Sequence, residues 1–555
     1  PNSPTFRKYS VALARALALH YKDQKNIVAW HVSNEYGETC YCENCEKAFR
    51  VWLRKRYGTL ENLNYAWNTR FWGHTFYDWD EIVAPNLLSE HFEENRSMFQ
   101  GITLDYKRFN SDGMLQNFRN EYQAIKEIIP DAKITTNFMG TYKPLDYKSW
   151  APYLDMISWD NYPEKDAEPA KVAMNHDLMR GLKGGMPFML MEQTPSVSNW
   201  LADNGLKRPG VMRLQSYQAV AHGADTVMFF QMRRSPGACE KFHGAVIDHA
   251  GREDTRVFRE CAALGKELEQ LGGATLGTRT HAKAAILFDW PTWWALECSA
   301  GPSTRMKYLD EILNYYRAFY EMNISVDFVG TDDDISGYQF VAAPLCYMVK
   351  EGLDEKLRAY AKEGGSLLFT YMSGYVNESD YITVGGYPGK LKDLCGIWVE
   401  EIDALSVDES NSFVYNGVTY PAELLCDLLH CEGAEELASY QEDFYQGMPV
   451  VTKNRFGKGT VYYVGTRSNP EFYRTLITDI CKEQGISPVL ENTHGLEITE
   501  RENENQKYIF VLNHQKEKTG TIVLPWDATE LLGQNVYKKQ TEISVKPREV
   551  LIFQV

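Results

Sequence analysis

A chain of 555 residues exceeds what one hydrophobic core supports, so two to four domains are expected. Its net charge of −17 excludes the basic face that nucleic acid or an anionic membrane surface demands, and an uncharged substrate fits better. No long uncharged apolar run marks a membrane span, and Pro1, Asn2, Ser3 and Pro4 lack the basic-then-apolar layout of a signal peptide.

The 11 Cys are an odd number, mostly scattered singly through apolar stretches (Cys261, Cys346, Cys481). That usage fits a reducing compartment, the cytoplasm, better than a disulfide scaffold. Aromatics are plentiful, with 13 Trp and 34 Tyr. Most serve packing, although carbohydrate sites set the same flat rings against sugar faces.

In the first half, five apolar runs, 27–33, 133–139, 154–159, 187–191 and 226–231, each end in polar residues. Helical patterns such as 109–129 and 211–222 lie between them. Continuous apolar runs joined by helices are the pattern of a buried parallel sheet. The expected fold is a (β/α)₈ barrel, whose chemistry gathers at the C-terminal ends of the strands. Five strands fall short of eight, and 40–110 reads as an insertion, so three βα units are expected to precede Pro1. An open doubly wound sheet is the alternative.

Near residue 280 the pattern restarts. Strands at 284–289, 325–329, 340–347 and 366–371 alternate with helices at 308–322 and 353–363, the latter stopped by Gly364 and Gly365. A strand at 457–464 and a helix at 470–484 return to the same sheet, making a second, doubly wound α/β domain. After 490 short strands (508–513, 520–524, 550–555) and polar turns indicate a small antiparallel β domain. The expected division is 1–270, 280–487 and 488–555.

Two glutamates close apolar strands. His31-Val32-Ser33-Asn34-Glu35-Tyr36-Gly37 ends the first run, and Phe188-Met189-Leu190-Met191-Glu192-Gln193 ends the fourth. One such Glu is most simply a turn cap. Two on different strands of one barrel meet the requirement of glycoside hydrolysis with retention, a protonated and an ionised carboxyl about 5–5.5 Å apart. With three units upstream, Glu35 falls on strand four and Glu192 on strand seven, facing each other across the mouth. Cys40, Cys42 and Cys45 have thiolate–zinc spacing, one ligand short of the usual four; three free thiols on a loop is the alternative. His74, His176 and His222 form no ligand spacing, and His20 and His222 sit in amphipathic helices as structural residues.

The sequence resembles the glycoside hydrolase family 42 β-galactosidases over nearly its whole length. The stretches that carry this are Trp30 to Gly37, Cys40 to Cys45, Phe71-Trp72-Gly73, Trp159-Asp160-Asn161-Tyr162-Pro163 and Leu190 to Gln193. The resemblance implies Glu35 as acid/base and Glu192 as nucleophile, with no cofactor for catalysis. It also implies galactose contacts from Asn34, Trp200, Glu240, His243 and Tyr162, and Trp72 reaching into a neighbouring subunit's site. It further implies a homotrimer held by a glutamine-amidotransferase-like second domain, and a structural zinc whose fourth Cys comes from upstream. The expected activity is hydrolysis of terminal non-reducing β-D-galactosides by double displacement. An α-L-arabinopyranosidase, a non-catalytic carbohydrate-binding protein and a zinc-dependent hydrolase are the alternatives.

Overall fold

The computed structural model describes residues 1–85, 91–93, 96–490 and 495–555. All five predicted runs of the first half contribute parallel strands, four of them shorter than their apolar stretches and the one at 187–191 of equal length. In chain order they are β1 (Trp30–His31), β2 (Ile134–Thr135) continued as β3 (Asn137–Phe138), β4 (Ser158–Asp160), β5 (Phe188–Glu192) and β6 (Ala224–Val227). β1 pairs β2, and β3, β4, β5 and β6 pair in that order, all parallel. The crossovers carry α4 (Gln100–Lys126), α5 (Pro169–Gly181) and α6 (Val211–Ala221), with α7 (Arg256–Leu271) after β6. Among the described residues this wall of a (β/α)₈ barrel does not close. Against α4 lies α1 (Pro4–Tyr21), which packs Ala14 and Ala18 inward while Phe6, Tyr9, Leu13 and Leu17 stand exposed at helical spacing.

The insertion after β1 has a core of its own. α2 (Glu43–Tyr57) and α3 (Leu60–Ala66) bury Cys45, Phe49, Leu53 and Leu63 against Trp67, Phe99, Ile102 and Tyr106. This explains why α4 starts at Gln100 and not at the predicted 109. Its first turns are enclosed by the insertion and by the helix Trp290–Cys298 of the second body, so Gly101 to Tyr106 are all buried and show no apolar period. Asp105 in that stretch takes hydrogen bonds from Trp67 Nε1 at 2.9 Å and Tyr57 OH at 2.5 Å.

The second body has a seven-stranded sheet. In chain order its strands are β7 (Ala284–Leu287), β8 (Val326–Val329), β9 (Phe340–Ala343) and β10 (Ser366–Thr370), with β14 (Glu435–Ser439), β15 (Pro449–Phe456) and β16 (Gly459–Val464) later in the chain. The spatial order is β8-β7-β9-β10-β16-β15-β14. The first five are parallel and the last two pairings antiparallel, so the parallel part follows the doubly wound order 2-1-3-4-5. Helices α9 (Tyr308–Glu321), α10 (Leu353–Glu363) and α11 (Pro470–Glu483) match the predicted ones, and Gly364 caps α10 at φ +119°.

Two features of this body were not foreseen. The helix α8 (Trp290–Cys298) follows β7 directly, and a separate antiparallel sheet forms from β11 (Ile397–Ala404), β12 (Asn411–Tyr415), β13 (Val418–Cys431) and the short strand Thr466–Arg467. The C-terminal body is antiparallel as expected, with Glu497–Glu502, Lys507–Leu512 and Val550–Gln554 paired in that order.

All three bodies meet at a buried charged cluster. Glu497 of the C-terminal sheet accepts from His222 Nε2 at 2.9 Å, His514 Nε2 at 2.8 Å, Gln218 Nε2 at 2.8 Å and Tyr320 OH at 2.8 Å. Asp177 of α5 takes His222 Nδ1 at 2.7 Å, Tyr316 OH at 2.6 Å and the Arg180 guanidinium. Arg180 also binds Asp327 of β8 at 2.8 Å. His222 is therefore structural, as the sequence implied, through polar bonds and not through packing. No described helix is long and apolar enough to cross a membrane, and all 11 cysteines are free thiols.

Candidate active site

β1 delivers Glu35 through a tight loop. Ser33 and Glu35 take φ values of 59° and 41°, a left-handed region that costs non-glycine residues on the order of 1–3 kcal/mol each. Asn137 of β3 holds this loop. Its Oδ1 accepts the Glu35 backbone N–H at 2.9 Å and lies 2.9 Å from His31 Nε2, while its Nδ2 donates to Asn34 Oδ1 at 3.1 Å and to Asp160 Oδ2 at 2.6 Å. Burial holds His31 below the usual imidazole pKa, partly offset by its bond to Asn137.

β5 ends in Glu192, and its register with β4 is fixed by the Asn161 N–H donating to the Glu192 carbonyl at 2.9 Å. The Tyr162 hydroxyl donates to Glu192 Oε2. Burial pushes the Glu192 carboxyl up, the Tyr162 bond pulls it down, and the charges of Glu35 and Glu240 add to the rise. Glu35, Asp160 and Glu192 each place one carboxylate oxygen within 4.8 Å of the others. Asp160, 6 % exposed, has its pKa raised to about 9 by burial, then by Glu192 and Glu35.

These groups open into a cleft of about 850 Å³ whose lining includes Glu35, Asp160, Tyr162, Trp200 and Glu240. Trp200 sets its ring 4.9 Å from Tyr162 at 89° and 5.3 Å from His243. Glu240 sits on the short turn Cys239–Phe242. His243, fully buried behind it, is anchored by Asn199 Oδ1 at 3.2 Å and the Phe230 carbonyl at 3.2 Å. Burial lowers the His243 pKa, so it serves there as a neutral hydrogen-bonding ring. The structure thus gathers Asn34, Glu35, Tyr162, Glu192, Trp200, Glu240 and His243 in one place. Trp72 is not among them: it stands on the insertion, 70 % exposed and stacked on Phe71 at 4.8 Å.

Cys40, Cys42 and Cys45 bring their sulfurs within 4.8 Å of one another at the N-terminus of α2, with Cys42 and Cys45 3.7 Å apart. A tetrahedral zinc with Zn–S bonds of about 2.3 Å requires S···S edges of about 3.8 Å, so the donor set and its spacing fit that ion. Asn2 Nδ2 approaches Cys45 Sγ at 3.5 Å.

The sequence analysis passed over Asn137, and quoted His31 and Asp160 only as parts of motifs. Their sole sequence signal is position at strand ends; their roles come from partners on other strands.

A family model described as β-galactosidase matches residues 1–271, one described as β-galactosidase trimerisation domain matches 282–487, and one described as β-galactosidase C-terminal domain matches 495–554. The β-galactosidase BgaP of a Planococcus species is 53 % identical over 98 % of this chain and 82 % of its own length. The β-galactosidase LacZ of Lactobacillus acidophilus is 48 % identical over 93 % of this chain and 78 % of its own. The crystal structure of a β-galactosidase from Bacillus circulans sp. alkalophilus superposes with a TM-score of 0.98 at 53 % identity, covering 100 % of this chain and 83 % of that one. The chain therefore spans about four-fifths of the relatives it matches. On these matches, and with the paired carboxyls in place, the chain belongs to the glycoside hydrolase family 42 β-galactosidases.

Proposed function

We propose that the protein is a retaining β-galactosidase acting on terminal β-D-galactosides. The observation that carries this is the approach of the Glu35 and Glu192 carboxylates to within 4.8 Å at the ends of two parallel strands. That separation suits direct attack and leaves no room for the intervening water that inversion needs. The names of the relatives support galactose as the sugar.

Glu192, ionised and held by Tyr162, attacks the anomeric carbon while Glu35 protonates the departing oxygen. The C–O bond breaks with its electron pair on that oxygen, and a galactosyl ester of Glu192 remains. Glu35, now a carboxylate, takes a proton from water as the water attacks the same carbon, and the ester bond breaks with its electron pair returning to the Glu192 carboxylate. Asn34 and Glu240 supply hydrogen-bonding groups for sugar hydroxyls and Trp200 offers a ring face, while His243, its ring nitrogens held by Asn199 and the Phe230 carbonyl, supports Trp200 from behind. Bonds that tighten as the oxocarbenium-like state forms lower the barrier.

A zinc ion held by Cys40, Cys42 and Cys45 would fix the insertion beside Glu35 and supply no step of the reaction. The match of 282–487 to a trimerisation domain supports a homotrimer, with Trp72 turned toward a neighbouring copy. The test is hydrolysis of an aryl β-D-galactopyranoside by the wild-type protein and by Glu192→Ala. Turnover that vanishes in the variant is expected. A folded wild type without turnover, or a variant with near-normal rate, would overturn the reading.

A further inference from the structure

Asp160 has no task in the two-step reaction, yet it closes β4 at 6 % exposure between the two glutamates. One of its oxygens lies within 4.8 Å of an oxygen of each. Its Oδ2 accepts from Asn137 Nδ2 at 2.6 Å, and that same side chain grips the Glu35 backbone and Asn34. Asp160 is thereby tied to the loop that carries Glu35. Its Oδ1 has no hydrogen-bond partner among the described residues.

The groups facing it are acidic or neutral. Glu35 follows β1 and Glu192 ends β5; the phenols of Tyr162 and Tyr147 present hydroxyls, and His31 stands across Asn137. Glu240 acts one step away, on Glu192. Three carboxyls this close cannot all ionise, because like charges at such separations oppose each other strongly in a partly dry site.

Resting on the reading of Glu35 as acid/base, we infer that Asp160 is a positioning residue, a carboxyl that shares a proton with Glu35. With Glu192 ionised, the Asp160–Glu35 pair holds at least one proton. Glu35 passes it to the departing oxygen as the C–O bond breaks, and the pair regains a proton from the attacking water. At rising pH the pair gives up its first proton and keeps the second between its two oxygens. The pair therefore keeps a proton beside the departing oxygen to higher pH than one carboxyl alone would.

The test is the pH dependence of kcat/KM on an aryl β-D-galactopyranoside for wild type and Asp160→Asn. The amide of that variant is isosteric with the carboxyl and can still accept from Asn137, so a merely structural role leaves the shape of the profile unmoved. The shared proton predicts that the alkaline limb moves to lower pH by about one unit or more, with activity near the optimum kept within about tenfold. Asp160→Ser should move the limb the same way. Should neither variant fold, infrared difference spectra of wild type decide: a protonated-carboxyl band must persist up to the alkaline limb and vanish with activity. An unmoved limb, or no such band, overturns the role of Asp160. A wild type inactive on the glycoside overturns the proposed function instead.

Discussion

Tyr162 donates its phenolic hydrogen to the Glu192 carboxylate, and this bond works directly against the burial that raises the carboxyl's pKa. A hydrogen bond to a charged group contributes roughly 1.5–3 kcal/mol, equivalent to about one to two pH units. Glu192 must be ionised to attack. In Tyr162→Phe its pKa rises, so the acid limb of kcat/KM should move to higher pH by about one unit. An unchanged limb would show that Tyr162 contributes only shape to the cleft.

Replacing Glu35 by Ala should separate substrates by leaving group. Galactosides of poorly acidic alcohols need the proton and should lose roughly 10²–10⁴-fold in kcat/KM, whereas dinitrophenyl galactoside, whose phenolate leaves unaided, should lose far less. An equal loss across the series, measured by steady-state kinetics, would count against the acid role.

The buried cluster at the junction of the three bodies gives a pH dependence of stability. Glu497 is held well below the usual carboxylate range: the positive charge of His514 and hydrogen bonds from His222 and His514 outweigh the opposing effect of burial. Its contribution is present above the unfolded value of about 4.3 and is lost as pH falls. His222 is raised to about 9 by Asp177 and Glu497 against its own burial. Its contribution is present below the unfolded value of about 6.5 and is lost as pH rises toward 9. The melting temperature should therefore be highest between about pH 4.5 and 6.5 and decline on both sides. Glu497→Gln, which takes the carboxylate from His514 and one of the two from His222, should cost on the order of 3–5 kcal/mol. A flat profile from calorimetry, or a variant as stable as wild type, would contradict this.

The three converging thiols predict bound metal. Elemental analysis of purified protein should find about one zinc per chain, and Cys42→Ser should lower that content and the melting temperature together. Retention of full zinc in that variant would place the metal elsewhere.

How much was legible follows from what each signal depends on. The carrier strand of Glu192 announces itself because a buried parallel strand is apolar and a barrel strand ends in polar residues, whereas the strand before Glu35 has the same apolar run although Val28 and His31 stand exposed. The helix α8 escaped notice because Trp290 to Leu296 are buried on every side, leaving no polar face to reveal its period. The strand β13 has irregular register against both β11 and Thr466–Arg467, which blurs the two-residue alternation that betrays an antiparallel strand. In the site, Tyr162 and Trp200 came from the resemblance. Asn137 and Asp160 act through bonds across three strands, a relation that no local pattern encodes.

The account stands most directly on Glu192 as nucleophile, and trapping the intermediate tests it. Incubation with an activated 2-deoxy-2-fluoro-β-galactoside slows release of the galactosyl ester, so that peptide mass spectrometry of the inactivated protein locates the sugar. Label on the peptide containing Glu192, with inactivation matching its appearance, is the predicted result. Label on another carboxylate, or full turnover of galactosides with no covalent species, would contradict the account.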